Sequence, residues 1–379
     1  MLYRCMIYDK VLLSNGRVAV IIFGSPSRYV QGAGALSSLG AELRQLGDCA
    51  VLVLDPLIQD RYGASLDAAC HEAGVTATQL RFGGDCTHAE VERLQGLAGN
   101  PSVIAAAGGG KCIDAGKALA GRIGAQVATI PTISSTDAPT SHNYVMYDDN
   151  HRMVGVEKMR RNPALVLVDT AVIAQAPRHL FVAGIGDAIG KIYEVDACAN
   201  ARGINVFGGR SALSAVILAH ACHALLLQDA ETALAALDRK TPDDAFERVV
   251  EATVLMSGLA FESGGLSIAH SMTRGLTALQ PYANTLHGFQ VAYANLVQIK
   301  LEGRPAAEIE ALADFYRRVG LPRSLAELGQ KPAVRGDIAR MAELTMTAPH
   351  IRHFPHPLTA ADVEAAMIWV EEALAIAAA

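Results

Sequence analysis

A chain of 379 residues exceeds what a single hydrophobic core organises, so two domains are expected. Its composition, 51% hydrophobic and 18% charged, is that of a globular protein and excludes intrinsic disorder. A formal net charge of -6 gives no basic footprint for nucleic acid or an anionic membrane surface, so the expected partner is a small molecule or another copy of the chain.

In chain order, residues 1–22 carry Arg4, Asp9, Lys10 and Arg17 among apolar neighbours and lack the uninterrupted core of a secretion signal. They read as an added β segment or an overlong start. Next come short aliphatic runs, Ala50 to Leu54, Val103 to Ala107, Gln126 to Ile130 and Ala164 to Val168, which read as strands. Helix-like spacing fills Pro26 to Leu46, Ile58 to Ala73 and Lys111 to Ile123. This alternation predicts an α/β nucleotide-binding domain with a parallel sheet over residues 1–178. Beyond Pro177 the strand-like runs stop. Gly184 to Ala199, Ser211 to Leu227, Phe246 to Ser257, Leu266 to Leu279, Gly288 to Lys300 and Thr359 to Ala378 read as helices of an all-α domain over residues 179–379. The apolar runs are broken before the ~20 residues needed to cross a bilayer. The 7 cysteines are scattered, with no C-x-x-C pair, and read as reduced thiols of a cytoplasmic protein.

Four segments have chemical potential. Val103 to Ala107 runs into Gly108-Gly109-Gly110-Lys111, a strand ending in glycines that opens a helix. Bare amides and a positive helix end suit a pyrophosphate, with Lys111 adding charge; the alternative is a tight turn requiring positive φ. Asp55, directly after a strand, suits the ribose hydroxyls of an adenosine, or else caps the next helix. The loop Pro131 to Ser141 places hydroxyls and Asp137 at the carboxyl edge of the sheet, as a ligand contact or as an ordinary capped turn. Asp187, His270 and His287 offer a carboxylate and two imidazoles to a divalent metal, although 12 histidines leave other sets open, among them His220 with His223 and the run His350, His353, His356.

The segments "GGGKCIDAGKALA", "PTISSTDAPTS", "NPALVLVDT", "GIGDAIGK", "ESGGLSIAHSMTRGLTAL" and "LHGFQVAYANLVQ", in that order, resemble the glycerol dehydrogenase branch of the iron-type alcohol dehydrogenases. That superfamily shares the dehydroquinate synthase-like fold, and the likeness runs from about Pro26 to the end of the chain. The resemblance implies NAD-linked oxidation of glycerol or a similar small polyol. A metal polarises the alcohol, and hydride passes to the nicotinamide. It implies that Asp187, His270 and His287 hold the metal and that Asp137 meets the substrate's second hydroxyl. Gly109, Gly110 and Lys111 would meet the pyrophosphate and Asp55 the ribose, while Thr132, Ser135, Ser141, Asn143 and Tyr147 would line the nicotinamide side. It further implies a homo-oligomer.

Two cations depart from the glycerol enzymes. Iron-using relatives carry an additional histidine one turn after the aspartate; here Lys191 stands there, a residue that cannot ligate while protonated, which favours Zn2+ over Fe2+. Lys191 and Arg274 each lie four residues after a metal-ligand candidate, so on helices they share its face. As free charges they would select an anionic substrate, a hydroxycarboxylate or a phosphorylated polyol; otherwise they pair with carboxylates or face solvent. Other readings of the scaffold are a lyase using NAD transiently and a catalytically silent NAD-binding paralogue.

Overall fold

The computed structural model describes residues 20–149, 151–329, 331 and 333–376. Residues 1–19, which carry most of the N-terminal reading, and residues beyond 376 at the end of the last predicted helix lie outside that range.

The strands are β1 (Tyr29–Gly32), β2 (Cys49–Leu54), β3 (Thr76–Arg81), β4 (Val103–Gly108), β5 (Gln126–Pro131), β6 (Asn143–Tyr147), β7 (Met153–Lys158) and β8 (Leu165–Asp169). Six of them form one parallel sheet in the order β1-β8-β5-β4-β2-β3, while β6 and β7 pair as a separate antiparallel hairpin. β2, β4 and β8 are aliphatic because both faces of the sheet are covered. One face packs on the helices His88–Ala98 and Gly110–Ile123, and the other on Leu39–Arg44 and Pro56–Glu72. β3 lies one side of β2 and β4 the other, so the chain reverses its direction of travel across the sheet between β2 and β4, the crevice where open α/β sheets bind ligands.

The predicted strands are present, and two more join them. The helix expected over Pro26 to Leu46 is wrong in its first half: Tyr29 to Gly32 is the edge strand β1, in register with Val166 to Asp169, and the chain turns helical only from Ala35. Tertiary pairing with β8 outweighs local spacing there. β3, with sequence TATQLR, alternates polar residues as an edge strand does and gave no continuous apolar signal.

After β8 the described chain is helical, with a hydrophobic core built largely from those helices. The helix expected over Gly184 to Ala199 is two, Arg178–Ile189 and Lys191–Asn200, divided at Gly190, where a Cβ would lie 1.7 Å from the Asn295 amide. The helix expected over Phe246 to Ser257 is an α-helix to Glu251, a π-helical turn at Ala252–Met256, and a further helix, Ser257–Gly264. Leu213–Asp238 is longer than its sequence reading and is apolar and long enough to span a bilayer, contrary to the expectation of short apolar runs. It packs against the helices Lys191–Asn200, Asp244–Glu251 and Ser257–Gly264, and its Asp229 is paired with Arg248 at 2.6 Å.

Glycines bring the elements of the site into backbone contact. A Cβ on Gly288 would stand 1.8 Å from the Ala183 carbonyl oxygen, and one on Gly186 would stand 2.5 Å from that of Gly288. The helices carrying Asp187 and His287 therefore touch main chain to main chain. A Cβ on Gly184 would stand 1.9 Å from the Ser134 carbonyl, so the loop after β5 rests on the same helix. Gly288→Ala is expected to cost at least about 1–3 kcal/mol, since backbone has to move. Gly121→Ala, at a helical position with open space around it, should be neutral or stabilising. Urea unfolding midpoints of the two variants check this.

Candidate active site

Asp187 sits in the last turn of Arg178–Ile189, His270 in the first turn of Ile268–Leu276, and His287 opens His287–Leu301. Their ligand atoms all lie within 4.8 Å of one another. His270 Nε2 is 3.6 Å and His287 Nε2 4.0 Å from Asp187 Oδ1, with the imidazole centroids 5.3 Å apart. Among the described residues this is the group of three His, Cys, Asp or Glu side chains able to hold a metal ion. The alternatives go elsewhere: His220 binds Asp196 at 3.0 Å, and His223 and His353 each bond a backbone carbonyl at 2.9 Å.

Sequence reading missed the residue that aims His270. Glu194 is fully buried; its Oε2 accepts from His270 Nδ1 at 2.5 Å, and its Oε1 accepts from the amides of Ser267 and His270. A carboxylate can only accept here, so Nδ1 carries the proton, which leaves Nε2, 3.6 Å from Asp187 Oδ1, as the nitrogen available to a metal. The available signal was Glu194 lying two turns after Asp187, but the break at Gly190 hides it.

Burial would raise the Asp187 carboxyl; the ammonium of Lys191 and the two imidazoles outweigh burial and hold it at about 2. Burial would likewise raise Glu194, and His270 and Lys191 bring it to about 2. Desolvation where its ring faces the cleft lowers His287 to about 4, against the opposing pull of Asp187, although 43% of the side chain is exposed. A carboxylate with two imidazoles fits Zn2+ or Fe2+.

Lys191 is fully buried, and its Nζ donates to Asp187 Oδ1 at 2.6 Å and to the Asp187 carbonyl at 3.0 Å, with Asp137 Oδ2 at 3.3 Å. Arg274 is exposed and donates to the Thr347 carbonyl at 2.6 Å. Neither is a free cation facing a substrate, so the expectation that they select an anion is corrected: one is neutralised by carboxylates, the other is tied at the surface. Asp137 is drawn to the same point. Its Oδ2 accepts from Ser257 Oγ at 2.6 Å, and burial raises its pKa despite the opposing charge of Lys191.

At the sheet edge, Gly108, Gly109 and Gly110 all have negative φ, so the positive-φ reading does not hold. Close approach explains the first two: a Cβ on Gly108 would stand 2.7 Å from the Cys112 Cβ and 3.0 Å from the Asp55 Cβ, and one on Gly109 3.1 Å from Ile133. The helix Gly110–Ile123 begins without a side-chain cap. Asp55 caps Pro56–Glu72 through Oδ1, which accepts from the Leu57 amide at 3.0 Å, and it stands across the β2/β4 crevice from the glycines. Lys111 is turned onto Asp85 at 2.9 Å and lies 4.6 Å above the Tyr147 ring.

Thr132 is buried, its amide bonded to the Gly108 carbonyl, while Ser135 is half-buried where the loop meets Gly184. Ser141 is buried and committed within the loop, its Oγ 3.4 Å from Lys117 Nζ and 3.3 Å from the Asn143 carbonyl. Asn143 Oδ1 is buried without a hydrogen-bond partner among the described residues. Lys117, a second residue missed by the sequence reading, is wholly buried and braces this loop by donating to the carbonyls of Ala138 at 2.5 Å and Asn143 at 2.8 Å.

A family model for iron-containing alcohol dehydrogenases matches residues 26–170. The chain is 36% identical to a glycerol dehydrogenase of Escherichia coli over 93% of its own length and 96% of that protein's, and 38% identical to one of Thermotoga maritima over 89% and 93%. Its fold matches the crystal structure of a glycerol dehydrogenase from Schizosaccharomyces pombe with a TM-score of 0.89 at 30% identity, covering 94% of this chain and 91% of that one. The chain belongs to the iron-containing alcohol dehydrogenase family. Within that family its likeness is to the glycerol dehydrogenases, and it is an oxidoreductase acting on alcohols.

In metal-free protein, Glu194→Gln removes the charge that orients His270 and is expected to weaken zinc binding about 10- to 100-fold, read by competition with a chelating dye. The acid side gives a second readout. Asp187, Glu194 and His287 have folded values of about 2, 2 and 4, below the ordinary 3.8, 4.5 and 6.5, so unfolding takes up protons as pH falls. The stability they contribute is complete above about pH 6.5; it declines first through His287 and then, below about pH 4.5, through the carboxylates. Urea unfolding of metal-free protein should show that decline, and Glu194→Gln should flatten its lower limb.

Proposed function

We propose that the protein oxidises the secondary alcohol of glycerol or a related small polyol, passing hydride to NAD, with Zn2+ as the metal in preference to Fe2+. The observation that carries this reading is the convergence of Asp187, His270 and His287 within 4.8 Å, beside the loop that brings Asp137 to the same point. When bound there, the metal supplies the Lewis acidity that makes the alcohol oxygen easier to deprotonate.

The chain's own residues do the rest. Glu194 fixes the face that His270 presents. Asp137, anchored by Ser257, offers a carboxylate to a second hydroxyl on the carbon next to the reacting one, which favours diols and polyols over simple alcohols. The amides of Gly109, Gly110 and Lys111 take the pyrophosphate, with Lys111 leaving Asp85 to do so. Thr132, Ser135, Ser141, Asn143 and Tyr147 form the nicotinamide side. Lys191 in place of a fourth ligand supports zinc.

The same reading divides the chain into a nucleotide-binding domain over residues 1–178 and a metal-binding domain over residues 179–379, with the reaction in the cleft between them. It includes a cytoplasmic location and a homo-oligomer. Exposed Ile21 and Ile204, both bridged to Arg210, together with exposed Leu213 and Ile217 one turn apart on the next helix, support self-association.

NADH formation followed over a panel of polyols, hydroxy acids and their phosphates tests the assignment. Glycerol is expected to lead the panel, chelator to abolish turnover, zinc to restore it, and His287→Ala to lower kcat by about a thousandfold or more. Turnover led by an anionic substrate, or indifferent to chelator, would contradict it. For the cofactor, the second oxygen of Asp55 is left for a ribose hydroxyl and repels a 2′-phosphate. Asp55→Ser keeps a helix cap and removes the charge, so the ratio of kcat/KM for NADP over NAD should rise about tenfold or more.

A further inference from the structure

Asp187 Oδ1 is claimed twice. It lies 3.6 Å from His270 Nε2 and 4.0 Å from His287 Nε2, and so faces the metal seat, yet the same oxygen accepts from Lys191 Nζ at 2.6 Å. The lysine has no room to leave. It starts the helix that follows the Gly190 break, is fully buried, and lies 3.3 Å from Asp137 Oδ2 and 5.8 Å from the centre of the Phe261 ring. One ammonium therefore bridges the two buried carboxylates, and the divalent cation has to share an oxygen with it.

We propose that Lys191 is a built-in counter-ion that competes with the divalent metal for Asp187 Oδ1 and thereby sets the metal affinity of the seat. The proposal rests on the metal reading above. Without metal, the ammonium keeps Asp187 and Asp137 from being buried uncompensated, a condition that costs a protein several kcal/mol. With metal, a fixed positive charge within one side chain of a dication opposes its binding, in surroundings that screen poorly. With a metal held there, the Asp187 carbonyl and Asp137 would remain as acceptors for the ammonium. Lys191 is thus a positioning residue, linking occupancy of the seat to the carboxylate that faces the substrate.

The test is a zinc titration of chelator-stripped full-length protein against a chromophoric chelator, at a pH of about 8 so that protons compete little with metal. Lys191→Met removes the charge, and Lys191→Gln removes it while keeping hydrogen-bond donors, a safeguard should the methionine variant fail to fold. Whichever folds is expected to bind zinc at least tenfold more tightly than wild type, about 1.4 kcal/mol. Its zinc-free thermal midpoint should lie below that of wild type and recover on adding zinc. Arg274→Met removes an exposed cation four residues after His270 and should leave zinc affinity unchanged, which separates local competition from a general charge effect. Unchanged or weaker binding in the folded Lys191 variant, or equal tightening in Arg274→Met, would overturn the proposal while leaving the metal reading intact. A wild-type protein that takes up no zinc at all would overturn both.

Discussion

The site is organised around one buried carboxylate. Asp187, 2% exposed, is stabilised as an anion chiefly by the ammonium of Lys191, with two imidazoles beside it, and Glu194 holds His270 while Asp137 holds Lys191. Desolvating a carboxylate is costly, and the cost is met by counter-charge and hydrogen bonds rather than by water. That requirement draws together the two consecutive helices that meet at Gly190, the first turn of the helix carrying His270 and the start of the helix at His287.

The glycines are the steric counterpart of that electrostatic demand. Gly184, Gly186 and Gly288 allow the Asp187 helix to touch both the loop after β5 and the His287 helix main chain to main chain, and Gly190 makes room for Asn295 where the helix breaks. A side chain at Gly186 or Gly288 would press the Asp187 and His287 helices apart. The sheet contributes a fixed edge. The uncapped helix after Gly109 and the carboxylate of Asp55 flank the β2/β4 reversal, and the braced loop of Lys117 carries the remaining wall towards the metal seat.

Much of this was legible in the sequence, for identifiable reasons. The strands β2, β4, β5 and β8 are aliphatic because they are covered on both faces, and such runs stand out. Edge strands do not: β1 is four residues long and β3 alternates with polar side chains, so only their pairing partners define them. Asp187, His270 and His287 were recognisable through the motifs around them, not through their spacing, which spans three helices. Glu194 and Lys117 escaped notice because a buried charge in a helix looks like a surface charge until its partner is known. The roles imagined for Lys191 and Arg274 failed on the same ground: a shared helical face fixes direction, but it does not reveal that one cation is already bound to two carboxylates and the other to a surface carbonyl.

The central claim is that a divalent metal is held between Asp187, His270 and His287. Anomalous diffraction at the zinc absorption edge, from crystals grown with zinc, tests it most directly. The account predicts a single strong peak about 2.0–2.2 Å from Asp187 Oδ1, His270 Nε2 and His287 Nε2. A peak elsewhere, on His220 or among His350, His353 and His356, with none at Asp187, would contradict it.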